Sequence, residues 1–446
     1  MADSTEGEPS IRRPVSSWQR DFNLLWSGSA ISQIGLMNAT MAAPLLALSL
    51  SGSPVFAGWV TAAATLPRLL LHLPVGALVD RSDRRRVMIV SLVVRAALAA
   101  LLTASVLVFG GLPYLPSLLV MFVVAQGVCA VFYSTAETTV IPRLVPGVHR
   151  PRAMGKNEAR IHVAGLLGRP LGGLLFDAFR WLPFAADMLA SLVSVLAVFR
   201  MDKHRLKPPT ADTPLRLAQL AGELWEGLAF LRKDGFLPHV VFVCTLANFL
   251  FQTLALVLVL VLHQLRLSSL MIGCVVAATG LGGVLGSFTA PRLLCRLTPE
   301  RAIVRCVWAW PLLSLLLAVT DHDSAVYVTL LLPLAWGGIG FVGAHVNVAL
   351  SLYQAEHVPE HMLGRVTGVS RFFSGGAVPL GGLASGYFVS GLGTQLAAVV
   401  VAVLVGLLAG VMAWGRCRRS ARAGSPEDPP RPSPPRPSGS LQTVHN

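Results

Sequence analysis

Gly76-Ala77-Leu78-Val79-Asp80-Arg81-Ser82-Asp83-Arg84-Arg85-Arg86 is a burst of charge that ends one long apolar run and immediately precedes another. Apolar runs joined by so short a charged hinge predict two membrane helices meeting at one surface, because roughly 20 apolar residues cross the hydrocarbon. The rest of the chain repeats this pattern. Its 446 residues are 54% hydrophobic and 13% charged, with mean hydropathy +0.64, far more apolar than a soluble core requires. Spans are expected at 22–48, 55–79, 87–109, 116–136, 157–177 and 181–200, then at 238–263, 268–290, 301–320, 325–352, 364–390 and 393–415. The fold class is an all-α membrane protein of about 12 transmembrane helices.

Alternate loops differ in charge. One set carries Arg81, Arg84, Arg85 and Arg86, then Arg143, Arg150, Arg152 and Lys156, then Lys203, Arg205 and Lys207, then Arg292 and Arg296, then Arg416, Arg418 and Arg419. The other set holds little beyond Arg180 and Arg266. By the positive-inside rule the basic loops and both termini face the cytoplasm, with the chain in the plasma membrane. The net charge of +14 follows from that topology, so no nucleic-acid partner is expected. Segment 1–21 reads as a cytoplasmic N-terminus without a cleavable signal. Segment 201–237 reads as a cytoplasmic linker, in which Leu217, Leu220, Leu224 and Leu228 predict an amphipathic helix on the membrane surface. Residues 416–446, rich in Pro, Arg and Ser, are expected to be disordered. The spans then divide into an N-terminal half, 22–200, and a C-terminal half, 238–415.

The halves echo each other. Pro170-Leu171-Gly172-Gly173-Leu174 recurs as Pro379-Leu380-Gly381-Gly382-Leu383, and Gly76 and Asn38 match Gly286 and Asn248 at almost the same offset. Ordered matches in equivalent spans predict two pseudo-symmetric six-helix halves with a binding site between them. The six cysteines form no CxxC pair, and no disulfide framework or metal site is expected. Neither a phosphate-cradling G-x-x-x-x-G-K-[ST] loop nor HExxH nor G-x-S-x-G occurs, so the chain does not read as an enzyme and calls for no cofactor.

The Gly76–Arg86 block resembles the G-x-x-x-D-R-x-G-R-R loop of the major facilitator superfamily. Asp21-Phe22-Asn23-Leu24-Leu25-Trp26, Leu66-Pro67-Arg68-Leu69-Leu70, Val140-Ile141-Pro142-Arg143-Leu144-Val145-Pro146 and Val358-Pro359-Glu360-His361 resemble its exporter branch of enterobactin-type siderophore exporters and macrolide efflux proteins. The resemblance implies two halves rocking about a central site. It makes Gly76, Asp80, Arg81, Arg84 and Arg85 a cytoplasmic latch, and Gly165, Gly168, Pro170, Gly172 and Gly173 an exporter-type helix-packing stretch. Simple helix packing explains the same glycines. Asp83 departs from the family's Gly, Ala290 replaces the acid in the second half, and Val123 stands where proton-driven exporters carry Arg.

Ionisable groups inside a membrane are costly and default to functional candidates. Arg68, about 18 Å from the hinge by helical rise, joins Arg95 and Arg169 as a cationic lining suited to an anionic or carbonyl-rich substrate. A structural role, pairing with Glu137, Asp187 or helix carbonyls, remains open. Gln33, Asn38, Asn248, Gln252 and Asn347 complete the candidate cavity, with interhelical hydrogen bonding as the competing reading. Glu137, Asp187 and His345 are the titratable candidates for proton coupling. The expected function is secondary active export of a bulky amphipathic small molecule, such as an antibiotic-like metabolite, drug or siderophore. The partners are that substrate, a coupling ion expected to be a proton, and the lipid bilayer. Alternatives are an importer of a polar nutrient and a non-transporting membrane sensor or scaffold.

Overall fold

The structure, a computed structural model, describes residues 17–108, 113–146, 150–201, 217–318 and 326–423. The first half comprises α1 (Ser17–Ser51), α2 (Pro54–Arg81), α3 (Arg84–Val108), α4 (Leu115–Leu144), α5 (Arg150–Ala178) and α6 (Leu182–Phe199). A shorter helix, α7 (Leu217–Lys233), lies in the linker. The second half comprises α8 (Leu237–Gln264), α9 (Ser269–Leu294), α10 (Pro299–Ala318), α11 (Leu332–His357, entered through a π-helical turn at Tyr327–Leu331), α12 (Glu360–Leu392) and α13 (Thr394–Ala423).

Each expected span coincides with a helix. Several helices run further than expected: α1 begins at Ser17, α4 continues to Leu144, α5 begins at Arg150, and α13 continues to Ala423 into the stretch expected to be disordered. Residues 424–446 lie outside the described part. Among the described residues nine helices are long and apolar enough to cross a membrane. The remaining long ones, α5, α10 and α12, carry Arg160, Arg305 and Arg371 within their length.

Polar caps start and stop the helices at the short turns. Asp83 Oδ1 accepts from the Arg85 and Arg86 amides at 3.0 and 3.3 Å, capping the start of α3. Asp234 accepts from the Phe236 and Leu237 amides at 2.7 and 2.8 Å and does the same for α8. Gly393, at φ 78°, ends α12 in the left-handed region that only glycine enters without strain. The linker helix α7 rests on α12, with Glu226 paired to Arg365 and Gly227 against the Arg365 carbonyl.

The packing is two-fold. In the first half α1 packs on α5 and α6, α2 on α4, and α3 on α4 and α6; in the second, α8 packs on α12 and α13, α9 on α11, and α10 on α11 and α13. Exchanging each helix for its partner in the other half maps one set onto the other. The same exchange relates the two main contacts between halves, α2 with α12 and α5 with α9.

Those two seams are closed at one end only. Opposite the basic loops, a Cβ on Gly386 would lie 2.7 Å from the Pro54 carbonyl, and one on Gly58 3.0 Å from the Gly382 carbonyl. Further along the same seam Gly376 meets the Leu69 side chain at 3.0 Å. Beyond that point, toward the basic loops, Gly76 and Gly368 have nothing within 4 Å of a Cβ. On the other seam Gly173 abuts Ser269, Gly273 abuts Arg169, and Gly280 lies 3.6 Å from Leu166; Gly165 and Gly283 then face open space. The halves touch at the far end and part toward the basic end, leaving a cleft open on the basic side.

Candidate functional site

The repeated Pro-Leu-Gly-Gly motif makes the closed end. In α5, Gly172 lets the helix lie on Asn38 of α1, its own half, while Gly173 lets it meet Ser269 of α9, the other half. In α12, Gly381 meets Phe249 and Gln252 of α8, while Gly382 meets Thr61 and Ala62 of α2. In both copies the first glycine holds the half together and the second joins the halves. Any side chain would hold these backbones apart, which is why small residues stand at such contacts. Asp177 adds a polar fastening, its two carboxylate oxygens accepting from the Ser269 and Leu270 amides at 2.8 Å each, so α5 caps a helix of the opposite half. Gly168 packs within its half on Met37 and Ile34, and Pro170 lies half-buried inside α5. Gly165 corrects the expectation of a packing role: nothing lies within 4 Å of its Cβ position.

The loop expected to act as a latch is anchored to its own half. Arg85 donates to the Val198 and Phe199 carbonyls at 3.3 and 2.7 Å and lies over the Phe199 ring, satisfying the C-terminal end of α6. Arg84 is buried and donates to Thr139 Oγ1 of α4 at 3.0 Å. The side chains of Asp80 and Arg81 lie outside the described part. Asp83, read from sequence as a departure, earns its place as the cap of α3.

Two expected cavity residues belong instead to the interior of the first half. Arg95 is 2% exposed and binds Asp187, 0% exposed, at 2.7 Å, and it also donates to Ser32 Oγ at 2.8 Å. Gln126 donates to the second Asp187 oxygen. This network ties α1, α3, α4 and α6 together and satisfies both carboxylate oxygens, so neither residue faces the cleft. Asn38, fully buried, donates to the Pro183 carbonyl at 2.7 Å and is likewise structural. Asn248 is half-buried and donates to the Cys244 carbonyl of its own helix at 2.9 Å.

Glu137 of α4 binds Arg160 of α5 at 3.0 Å, both buried. Its Oε1, and the Nε and Nη1 of Arg160, have no partner among the described residues. Sequence reading missed Arg160 because it stands at the start of a span, beside basic residues that the topology already explained. His345 is buried in the contact of α11 with α9. Its Nδ1 faces the Phe341 carbonyl at 2.9 Å and so carries hydrogen, and its Nε2 lies 3.2 Å from Thr289 Oγ1.

Of the remaining candidates, Arg68 and Arg169 lie beside the contacts between the halves. Arg68 is exposed, and Leu66 and Leu70, two residues to either side, are exposed on the opposite face of α2. Its neighbours Pro67 and Leu69 touch Gly127 of α4 and Gly376 of α12, so Arg68 emerges between those helices. Arg169 stands in the same relation to the exposed Leu167 and Leu171, and reaches across to the Thr279 hydroxyl of α9 at 3.2 Å. Trp336, buried and stacked on Phe251 at 5.2 Å, donates to the Val276 carbonyl, which also accepts weakly from Arg169. Gln33 and Gln252 are half-buried, Asn347 is exposed, and none of their side-chain amides has a partner among the described residues. A third arginine, Arg371 of α12, is exposed and has no partner among the described residues; sequence reading missed it although it lies inside an expected span.

A family profile described as Major Facilitator Superfamily matches residues 25–382 and 241–444. Multidrug efflux pump Tap of Mycolicibacterium fortuitum is 28% identical over 389 residues, covering 83% of this chain and 90% of that protein. Macrolide efflux protein A of Streptococcus pyogenes is 25% identical over 240 residues, 53% of this chain. The chain there spans 57% of that relative's length, less than two thirds. Among solved structures, the nucleoside transporter NupG has TM-score 0.71 at 15% identity, covering 90% of this chain and 99% of its own. A bacterial homologue of the human lysosomal transporter Spinster, in an inward-facing and unoccupied conformation, has TM-score 0.64 at 13% identity, covering 93% and 100%. Profile, relatives and fold agree with two six-helix halves closing on a central cleft: the chain belongs to the Major Facilitator Superfamily.

Proposed function

We propose that this transporter exports a bulky amphipathic small molecule from the cytoplasm by alternating access, driven by the proton gradient. The observation that carries the reading is the cleft, closed by the Pro-Leu-Gly-Gly contacts and open on the side of the basic loops, which the positive-inside rule makes cytoplasmic. A substrate entering there meets apolar helix faces and a few free polar groups, as amphipathic ligands require. The similarity to a multidrug efflux pump over most of the chain supports export. For the coupling proton, Glu137 is the best of the three candidates. One of its carboxylate oxygens has no partner among the described residues, whereas both oxygens of Asp187 are taken. The other Glu137 oxygen pairs with Arg160 of α5, so a shift of α5 against α4 would break that ion pair.

The test is efflux of anionic, neutral and cationic fluorescent amphiphiles, macrolide-like compounds among the cations, from energised cells carrying wild type, Asp80→Asn or Glu137→Gln, with and without a protonophore. Efflux that the protonophore abolishes and both variants reduce supports the proposal. Well-expressed protein that moves none of the panel outward, but on which growth with one polar nutrient depends, would replace it with import.

A further inference from the structure

We infer that the cleft selects molecules with an anionic head, a carboxylate or comparable oxygen acid, over cationic amphiphiles of the same size. This rests on the reading of the cleft as the substrate site and names its chemistry. Three guanidinium groups lie within the spans beside the seams between the halves, Arg68 of α2 and Arg371 of α12 exposed and Arg169 of α5 half-buried. Arg371 stands one turn from Thr367, which donates to Gln354 of α11, and two residues from the exposed Phe373, so it emerges between α11 and α2. Leu69 opposes Gly376 across the seam, which places Arg68 and Arg371 on facing helices about 9 Å apart along the axis, within reach of one ligand.

None of the three holds an acid. Arg68 and Arg371 have no polar partner among the described residues, and Arg169 has only a hydroxyl and a carbonyl. The acids in mid-span, Glu137 and Asp187, already hold Arg160 and Arg95. The acids Asp83, Asp177 and Asp234 cap helix ends. Cations left unneutralised at membrane depth are costly unless water or a ligand meets them, and a planar carboxylate matches the guanidinium fork. A cationic amphiphile entering the same cleft would meet like charge from three sides.

The experiment uses the full chain in lipid nanodiscs, with dansyl-phenylalanine as the carboxylate probe and its methyl ester as the uncharged isostere, read by dansyl fluorescence. A dansyl-amine of matching size serves as the cation. The carboxylate should bind at least ten-fold more tightly than the ester and the amine more weakly still, about the strength of one charge-assisted hydrogen bond. Arg68→Gln and Arg371→Gln should each remove about ten-fold from carboxylate binding and nothing from the ester, while Arg68→Lys retains part of the preference. A thermal unfolding midpoint matching wild type shows that each variant is folded. Equal affinity for carboxylate and ester in wild type, or tighter binding of the amine, overturns the inference. Because binding is read without transport, carboxylate preference in a protein that exports nothing would leave this inference standing and defeat the export proposal, whereas efflux without preference would do the reverse.

Discussion

Gly173→Ala is expected to shift the protein out of the state seen here. The glycine meets the Ser269 backbone of the opposite half so closely that a methyl group overlaps the carbonyl, and backbone cannot swing aside as a flexible side chain can. Overpacking of this kind costs about 1–3 kcal/mol. Here the strain disappears when α5 and α9 part at the far end, so it bears on the state with the far end closed and not on its alternative. The ratio of far-end-open to far-end-closed protein should rise by about 5- to 150-fold. Two controls separate this from general damage. Gly168→Ala clashes with Met37 and Ile34, 2.6 and 2.8 Å away within the same half, and should lower thermal stability without moving the equilibrium. Gly165→Ala, with nothing within 4 Å, should do neither. Spin labels at Ser51 and Leu392, at the far ends of α1 and α12, in a cysteine-free background report the separation of the halves by pulsed electron resonance. If Gly173→Ala, folded and labelled, keeps the wild-type distance distribution, the assignment of this glycine to the seal between halves is wrong.

Other outcomes follow from single contacts. Asp187→Asn should lower stability by about 3–5 kcal/mol by stranding Arg95, and the double change Arg95→Met with Asp187→Leu should recover most of it in thermal unfolding. Arg85→Ala should cost about 1–2 kcal/mol through the exposed end of α6, again read by thermal unfolding. Asp83→Ala should cost about 1 kcal/mol, while Asp83→Asn, which still caps, should be near neutral. Removing residues 424–446 should leave dye efflux within about two-fold of wild type, since both six-helix halves are complete by Ala423.

The helices were legible because a membrane imposes length and apolarity together, and the two-fold relation was legible because Pro-Leu-Gly-Gly survives in both α5 and α12. Partnerships were harder to read. Arg95 and Asp187 both stand out as charges in apolar runs, but 92 positions separate them in the chain and only the packing of α3 on α6 brings them together. The same sequence admitted Glu137 as the partner, which the structure gives to Arg160. Asn38 and Gln33 look alike on α1, and their separation into a buried hydrogen bond and an open face depends on where α6 lies. Arg371 was legible by the rule that singled out Arg68, yet its span already contained the stronger glycine signal. Asp83 shows the opposite case, a family departure whose reason is local: a side chain that closes a helix end must be a short acceptor at that position.

Asp177 sets a water-accessible rim above the glycine contacts of the closed end. Its bonds to the Ser269 and Leu270 amides lie at the surface, where water can replace each partner as it leaves. The glycine contacts beneath are dry and short in range, so they lose their attraction over the first ångström of separation. Opening of this end is therefore expected to begin as a solvent exchange at the rim and to end as a parting of small residues. A gate assembled in that order resists leakage while shut, and it asks of the bound molecule only the modest energy needed to start the rim exchanging.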